Sequence, residues 1–387
     1  MRRGITGNYE TTSVSGERVR AFIPHSLPPE PPLDLSNARQ RLLERATLAI
    51  GRLDSITLLL PDPNLFLYAY VRREAVLSSQ IEGTQSSLSD LLLFELDEAP
   101  GAPFDDVVEV SNYVAALEHG MARLRGGFPL SNRLIREMHA ELLSRGRGSE
   151  KTPGEFRRTQ NWIGGTRPGN AHFVPPPPSH VEDCMGALER FIHDEHSPYP
   201  TLVKAALAHV QFETIHPFLD GNGRIGRLLI AFILRHYDML SQPLLYLSLY
   251  FKQRRAEYYR LLDLVRAEGD WEDWLDFFLE GVESTAANAV QTAQRLEALF
   301  REDGARIKSL GRAASATMRV FDAICKRPVT TLNEICQRAS ASFPTAAKGM
   351  DMLLSLGIAR ELTGQRRNRV FAYQRYLNIL NEGTEPL

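Results

Sequence analysis

The residues best able to do chemistry lie in one twelve-residue stretch, from position 216 to position 227. A histidine at its start can take up a proton as a general base. Two glycines allow a tight turn whose N–H groups point inward and bind an anion. Two arginines three positions apart suit the oxygens of a polyphosphate. The pattern therefore predicts a site that handles phosphoryl groups. In order, the stretch contains His216, Phe218, Asp220, Gly221, Asn222, Gly223, Arg224 and Arg227.

The flanking segments must place this stretch between two helices. Apolar residues recur at helical spacing from Val203 to Val210, which predicts an amphipathic helix, and the apolar run 228–234 predicts a second helix beginning near Arg224. The N-terminus of the second helix would add unpaired N–H donors and the positive end of its dipole to an anion site. Asp220 is unexpected among these cations unless it binds a metal, so we expect Mg²⁺ shared with phosphate oxygens.

Two other glycine-rich motifs are excluded by their context. Gly221, Gly223 and Gly226 match the dinucleotide-binding fingerprint, but that motif follows a strand, whereas a helix is predicted here. A P-loop requires Lys followed by Ser or Thr where this chain has Arg227-Leu228. The remaining alternative is a helix-capping loop with incidental charges, which the density of functional residue types makes the weaker interpretation.

The stretch resembles the signature of the Fic family, His-Pro-Phe-x-Asp-Gly-Asn-Gly-Arg-x-x-Arg, at every defined position. The wider resemblance covers about residues 35 to 285. It implies a mainly α fold, with a Fic-type helical core and a β-hairpin flap. It also implies transfer of AMP from ATP to a Ser, Thr or Tyr hydroxyl of a target protein or of the enzyme itself. Relatives that transfer phosphate carry Lys where Gly223 stands, so Gly223 favours AMP transfer.

The resemblance also implies a role for each residue of the motif. His216 would be the general base, and Asp220 would hold Mg²⁺ on the α- and β-phosphates. The remaining nucleotide-binding residues would be Asn222 with the Gly221 and Gly223 backbone at the α-phosphate, and Arg224 and Arg227 at the β- and γ-phosphates. Tyr258 and Tyr259 fall where family members line the adenine pocket. The alternative is an aromatic pair on a helix that packs in the protein core.

Residues 160–178 are predicted to form a flap of two short strands. Two apolar runs, which include Trp162, Ile163, His172 and Phe173, flank a glycine–proline turn, and four prolines then end the segment. By the resemblance, this hairpin docks the backbone of the target protein by strand addition.

A second motif lies near the N-terminal end, where Ser78, Glu82 and Gly83 resemble the Fic inhibitory motif [S/T]xxxE[G/N]. Ser78 and Glu82 share one helix face, and Gly83 can end the helix. The alternative is a surface glutamate beside a helix cap. By the resemblance, Glu82 pairs with Arg227 and so occupies the residue that would bind the γ-phosphate, which prevents ATP from binding in its productive orientation. Glu82 could also orient water for removal of AMP from a modified target.

The segment from about 312 to 375 differs in pattern and charge. Three helices, 318–326, 332–338 and 344–356, precede two short strands, 358–362 and 369–373, an order typical of a winged helix-turn-helix. It holds eleven Lys or Arg and four acidic residues, which makes it +7 in a chain of net charge −2. It could bind DNA through Lys348, Arg366, Arg367 and Arg369, or serve as a docking or dimerisation module.

Composition sets the remaining expectations. The chain has 387 residues, 43% hydrophobic and 24% charged, with three cysteines in no metal-binding spacing. We expect a cytoplasmic protein without a membrane span. The expected domains are an N-terminal helical region at 1–110, opening with an extended arm to about residue 35, a catalytic core at 111–300 and a winged helix at 310–380. A homodimer is possible. The competing function is a DNA-binding regulator whose Fic core senses nucleotide.

Overall fold

The computed structural model describes residues 2–14, 16–59, 63–96, 101–365 and 367–385. The chain divides into two compact units, Met1–Asp54 with Ser111–Ala286 and Ser55–Val110 with Ala287–Leu387. The helices are α1 (Asn37–Leu59), α2 (Pro63–Ile81), α3 (Leu88–Phe94), α4 (Phe104–Arg125), α5 (Asn132–Leu142), α6 (Pro178–His193), α7 (Thr201–Ile215), α8 (Asn222–His236), α9 (Ser248–Gln253), α10 (Arg255–Glu268), α11 (Trp271–Lys308), α12 (Ala314–Lys326), α13 (Leu332–Arg338), α14 (Phe343–Ser355) and α15 (Gln374–Asn381). The strands are β1 (Gly7–Val14), β2 (Glu17–Pro24), β3 (Val329–Thr331), β4 (Arg360–Glu361) and β5 (Val370–Ala372).

Helix α7 is the buried centre of the first unit. Every residue from Leu202 to Ile215 is buried, and α6, α8, α10 and β2 pack against it. The prediction of a helix here is confirmed, but it is buried on all sides rather than amphipathic. Its polar side chains have partners: the amide of Gln211, for example, donates to the carbonyl of His25 across 2.8 Å. The core therefore fixes the helix that leads into the motif.

The N-terminal hairpin replaces the extended arm that was predicted. Strands β1 and β2 pair antiparallel along their whole length, from Gly7 with Pro24 to Val14 with Glu17. Val19, Ala21 and Phe22 of β2 are buried. The prediction was wrong for residues 7–24 because this apolar set is short and lies among charged residues, so its packing partners elsewhere in the chain decide the structure.

The second unit contains the winged helix-turn-helix. Helices α12, α13 and α14 pack together, and a three-stranded antiparallel sheet has the order β3-β5-β4. The predicted second helix matches α13 at both ends, and β3 is an additional strand. Thr331 caps α13 in a capping box with Glu334. Arg366 of the predicted DNA-binding set lies outside the described residues.

Among the described residues, no helix combines the length and the apolar character that crossing a membrane requires.

Candidate active site

The loop between α7 and α8 has two residues in the left-handed region of backbone conformation. His216 follows α7 with φ 50° and ψ 59°. Such a conformation is costly for a residue with a side chain, so the surrounding structure must hold it in place. Gly221 precedes α8 with φ 74°, and a Cβ there would lie 3.1 Å from a methyl carbon of Leu142. The conformation therefore favours glycine at 221, and an added side chain would also require Leu142 to shift.

Asn222 closes this loop through its side chain. Its Oδ1 accepts from the Phe218 N–H, and its Nδ2 donates to the Phe218 carbonyl, each across 2.8 Å. The amide therefore ties the backbone of Phe218 to the start of α8, and one N–H of its Nδ2 is used within the loop. Phe218 itself is fully buried and anchors the loop in the core.

Helix α8 begins at Asn222, two residues before the predicted start. Gly223 is therefore part of the first helical turn. Of the two glycines, Gly221 alone has a left-handed backbone conformation. The Gly221 N–H donates to the adjacent Asp220 carboxylate at 2.6 Å. The anion-binding donors that this geometry offers are the first N–H groups of α8, which have no partner within the helix.

Two buried arginines extend the positive charge of the helix N-terminus. Arg224 and Arg227 are 3% and 5% exposed. A guanidinium nitrogen of Arg224 lies 3.4 Å from Asp220 Oδ1, and the Asp220 side chain is 39% exposed. Burial of cations beside helix N–H groups makes the site attractive for a polyanion.

Arg157 holds the backbone on which His216 sits. It is 2% exposed, and its Nε donates to the His216 carbonyl across 2.9 Å. Its Nη2 donates to the carbonyls of Ile215 at 3.3 Å and Pro176 at 2.6 Å. Its backbone N–H donates to the Pro217 carbonyl at 2.9 Å. Burial lowers the pKa of this guanidinium to about 10, which leaves it charged at neutral pH.

His139 supports the other side of the loop as a neutral imidazole. The Gly154 N–H donates to its Nδ1 at 2.9 Å, so the proton lies on Nε2, which donates to the Asp220 carbonyl at 3.0 Å. Its ring stacks on Phe218, with centroids 3.7 Å apart. Burial lowers the pKa of His139 to about 4.

Sequence reasoning missed Arg157 and His139. Arg157 stands beside Arg158, whose side chain is 86% exposed, and no local pattern separates the two. His139 did carry a signal, since it lies on the same face of α5 as the buried residues Leu134, Ile135, Met138 and Leu142.

The predicted adenine pair divides into one core residue and one surface residue. Tyr258 is 1% exposed, stacks on Phe251 with centroids 4.6 Å apart, and donates its hydroxyl to His209 Nε2 at 2.9 Å. His209 is oriented by the Gly226 carbonyl, 2.9 Å from its Nδ1. Burial lowers the pKa of His209 to about 3. The contacts of Tyr258 are those of a core residue, whereas Tyr259 is 39% exposed.

The flap is a single antiparallel bridge rather than two regular strands. Ile163 pairs with Phe173, and the Ile163 N–H donates to the Phe173 carbonyl at 2.8 Å. Trp162 is 37% exposed. Exposed His172 contacts Asp263 of α10 at 2.7 Å.

The N-terminal hairpin lies beside the flap. The Phe22 N–H donates to the Val174 carbonyl at 2.9 Å. Glu17 accepts from the Arg167 guanidinium and from the Gly169 N–H, both at 2.7 Å. The hairpin therefore braces the turn of the flap.

The predicted inhibitory motif closes helix α2 in the second unit. Ser78 is fully buried, the helix ends at Ile81, and Glu82 is exposed one residue beyond it. Gly83 has φ 107°, and its N–H donates to the Gln80 carbonyl at 3.1 Å. The expected role of Gly83 in ending the helix agrees with this geometry.

Two protein-family models match parts of this chain. Residues 40–122 match the model described as Fic/DOC family N-terminal, and residues 129–234 match the model described as Fic/DOC family. The chain therefore contains a Fic N-terminal region and a Fic domain.

Relatives with this domain carry a functional name. The chain is 34% identical over 188 residues to protein adenylyltransferase Fic of Drosophila ananassae, a match that covers 48% of this chain and 34% of the relative. The Drosophila melanogaster protein of the same name is 33% identical over 188 residues, with 48% and 35% covered. The match thus spans about a third of the length of these relatives.

Solved structures show the same fold. A Fic family protein from Desulfovibrio desulfuricans aligns with a TM-score of 0.59 at 20% identity, covering 89% of this chain and 98% of that one. Fic-1 from C. elegans aligns with a TM-score of 0.52 at 22% identity, covering 66% and 73%. The mainly helical, Fic-type fold that the sequence predicted is confirmed.

Proposed function

We propose that this chain is a protein adenylyltransferase that moves AMP from ATP to a Ser, Thr or Tyr hydroxyl of a target protein or of itself. One observation carries the proposal: a histidine held in left-handed conformation by Arg157 begins the loop that leads into the N-terminus of α8, a helix with two buried arginines. A general base beside a polyphosphate site is the arrangement that attack on a nucleoside triphosphate requires. The name shared by the Drosophila relatives supports the same reaction.

The residues of the motif have two roles in the proposed reaction, proton transfer and phosphate binding. His216 takes the proton of the target hydroxyl as that oxygen bonds to the α-phosphorus. The bond between the α-phosphorus and the bridging oxygen breaks, and pyrophosphate leaves. The N–H groups at the start of α8 stabilise negative charge on the α-phosphate, while Arg224 and Arg227 hold the β- and γ-phosphates. Gly223 stands where relatives that transfer phosphate carry Lys, which favours transfer of AMP over phosphate.

Asp220 fits the role of a magnesium ligand. Its carboxylate is partly exposed beside the helix N-terminus, and no cluster of three or more metal-binding side chains occurs in the described parts of the chain. Mg²⁺ commonly uses one or two carboxylates and takes its other ligands from phosphates and water. When bound, the ion would neutralise charge on the phosphates of ATP.

We propose that Glu82 inhibits this activity by pairing with Arg227, which removes a partner of the γ-phosphate. The buried Ser78 and the glycine-ended helix would present the carboxylate at a defined position. A charge-assisted contact contributes about 1.5–3 kcal/mol, or about one to two decades in the active population. The same carboxylate would suit orientation of water in removal of AMP.

Two binding surfaces complete the proposal. The exposed Trp162 and the bridged Ile163, His172 and Phe173 would receive an extended segment of the target by strand addition. Tyr259 keeps an exposed ring for the adenine base, whereas Tyr258 supports it from the core.

A second candidate function rests on the winged helix. Its net charge of +7 and the exposed Lys348 on α14 favour binding to a polyanion such as duplex DNA, and the same module could join two copies of the chain. A steep fall of DNA affinity with rising salt would support this function, and its absence would leave dimerisation.

The test incubates wild type, Glu82→Gly, His216→Ala and Glu82→Gly/His216→Ala with MgCl₂ and ATP labelled at either the α- or the γ-phosphate, alone and with a cell lysate. Protein-bound label and intact mass are measured. We expect label from α-labelled ATP only, at least tenfold more with Glu82→Gly, and none without His216. Gln85→Gly, an exposed position in the same loop, controls for added flexibility.

Two results would overturn parts of the proposal. Protein-bound γ-label would indicate phosphate transfer. Absence of α-label with every variant, in the presence and absence of lysate, would exclude adenylyl transfer under these conditions and favour the DNA-binding function.

A further inference from the structure

Residues 382–384 contact the C-terminal half of helix α2, including Gln80, which lies within the inhibitory motif at residues 78–83. The side-chain amide of Gln80 donates to the Thr384 carbonyl at 2.8 Å and to the Ser86 carbonyl at 3.0 Å. Gln80 is 1% exposed, so these two bonds form away from solvent. They connect the residues on both sides of Glu82 to the segment that follows the winged helix.

A second pair of contacts holds the same segment. Arg73 of α2 donates to the Glu382 carbonyl at 2.7 Å. Arg295 of α11 binds the Glu382 carboxylate with both terminal nitrogens, at 2.6 and 2.7 Å. This bidentate contact lowers the pKa of Glu382. Glu382 therefore joins α2 to α11, because its carbonyl binds Arg73 and its carboxylate binds Arg295.

The body of the winged helix also packs on α2. Helices α12 and α15 both contact it, and the guanidinium of Arg327, at the end of α12, lies 5.0 Å from the Tyr68 ring centroid. Tyr68 and Arg72 of α2 bind Glu95 at 2.5 and 2.7 Å. The helix that ends before Glu82 is thus positioned on one side by the winged helix and at its end by residues 382–384.

We propose that the 382–384 segment holds the inhibitory motif in place, so that the winged-helix module regulates the adenylyltransferase site. A change that moves this segment would loosen the end of α2 and release Glu82 from its inhibitory position. The inference rests on the proposed function, in which Glu82 inhibits the site.

The experiment measures incorporation of α-labelled AMP by a chain that ends at Asn381 and by Glu382→Arg, Arg295→Glu and the double charge reversal. Each is made with Glu82 and again with Glu82→Gly. With Glu82 present, we expect the shortened chain and each single reversal to incorporate at least threefold more AMP than wild type, and the double reversal to return to the wild-type level. With Glu82→Gly, none should add further activity.

The matched control is Glu302→Arg. Glu302 of helix α11 and Arg375 of helix α15 form an ion pair. Their side chains are 57% and 44% exposed, against 57% and 42% for Glu382 and Arg295. Its reversal should leave incorporation unchanged. Because the predicted effect is a gain, general unfolding cannot imitate it.

The outcomes separate the two proposals. If Glu82→Gly is no more active than wild type, the inhibitory role of Glu82 is wrong. If Glu82→Gly is activated while the shortened chain and the single reversals match wild type, the inhibition stands and the role of residues 382–384 is wrong.

Discussion

The Nε of Arg157 donates to the carbonyl oxygen of His216 across 2.9 Å, inside a core that leaves Arg157 2% exposed. A left-handed residue needs such support, because its conformation is unfavourable in isolation. The guanidinium is planar with donors in fixed directions, so it can bind several carbonyls at once. The backbone geometry of His216, the proposed general base, therefore depends on a residue outside the motif.

Arg157→Lys should lower AMP incorporation at least tenfold, measured with Glu82→Gly to remove inhibition. A lysine carries one nitrogen and cannot reproduce the bonds to the carbonyls of Ile215, His216 and Pro176. The KM for ATP should change less than kcat, because the proposed nucleotide contacts are made by other residues. Arg158→Lys, at an exposed position, is the control, and equal effects of the two variants would contradict the prediction.

Stability should fall as the pH is lowered from 6.5 to 5. The pKa of His139 is about 4 in the folded protein and near 6.5 when unfolded. The unfolded state therefore binds more protons in this interval, and folding is opposed as the pH falls. For this histidine we expect a loss of about 1.5 kcal/mol. Chemical denaturation at each pH gives the free energy of unfolding.

His139→Gln should reduce that pH dependence without removing it, since buried His209 titrates in the same direction. Glu272 does not interfere in this interval. Its pKa is about 2 in the folded protein and 4.5 when unfolded, so its contribution to the free energy of unfolding is lost only as the pH falls below 4.5. An unchanged slope in the variant would show that His139 is charged or exposed in the folded protein.

Gly226→Ala should destabilise the protein by about 1–3 kcal/mol, as overpacking does. An added Cβ would lie 2.3 Å from Glu213 Oε1 and 3.2 Å from a ring carbon of Phe212, both on the facing helix α7. The free energy of unfolding tests this. At Gly186, in helix α6, the nearest atom would be an Arg190 nitrogen at an ordinary 3.5 Å. Gly186→Ala should therefore be neutral or stabilising.

Tyr258→Phe should lower the stability of the protein, whereas Tyr259→Ala should weaken ATP binding. Loss of the Tyr258 hydroxyl leaves buried His209 Nε2 without that donor, which should cost about 1–3 kcal/mol of stability. Tyr259→Ala should change stability little and raise the KM for ATP. A normal KM would remove Tyr259 from the adenine site, and a normal stability for Tyr258→Phe would contradict its bond to His209.

Local signals in the sequence predicted the motif's setting well. The apolar runs on both sides of residues 216–227 require two packed helices, and Gly221 requires a left-handed turn between them, because each constraint acts within a few residues. The winged helix followed from similar short-range cues, the order of three helical segments and two short strands. The structure adds the capping box from Thr331 to Glu334 that begins α13.

Contacts between distant residues could not be read in the same way. Residues 7–24 were predicted as an extended arm but form a hairpin beside the flap. Its strand β2 bonds to Val174, about 150 positions later in the chain. The two bonds from the Asn222 side chain to Phe218, which close the loop, were not predicted. Tyr258 was expected at adenine, yet its hydroxyl meets His209.

By itself, the sequence determined that a histidine, a carboxylate and two arginines occupy one helix–loop–helix, because their spacing alone brings them together. Tertiary structure decided which buried groups hold that loop, Arg157 from the segment before the flap and His139 from α5. It also decided that residues 382–384 contact the helix before Glu82. Such pairings depend on which surfaces exclude water together in the folded chain, and no local pattern encodes that.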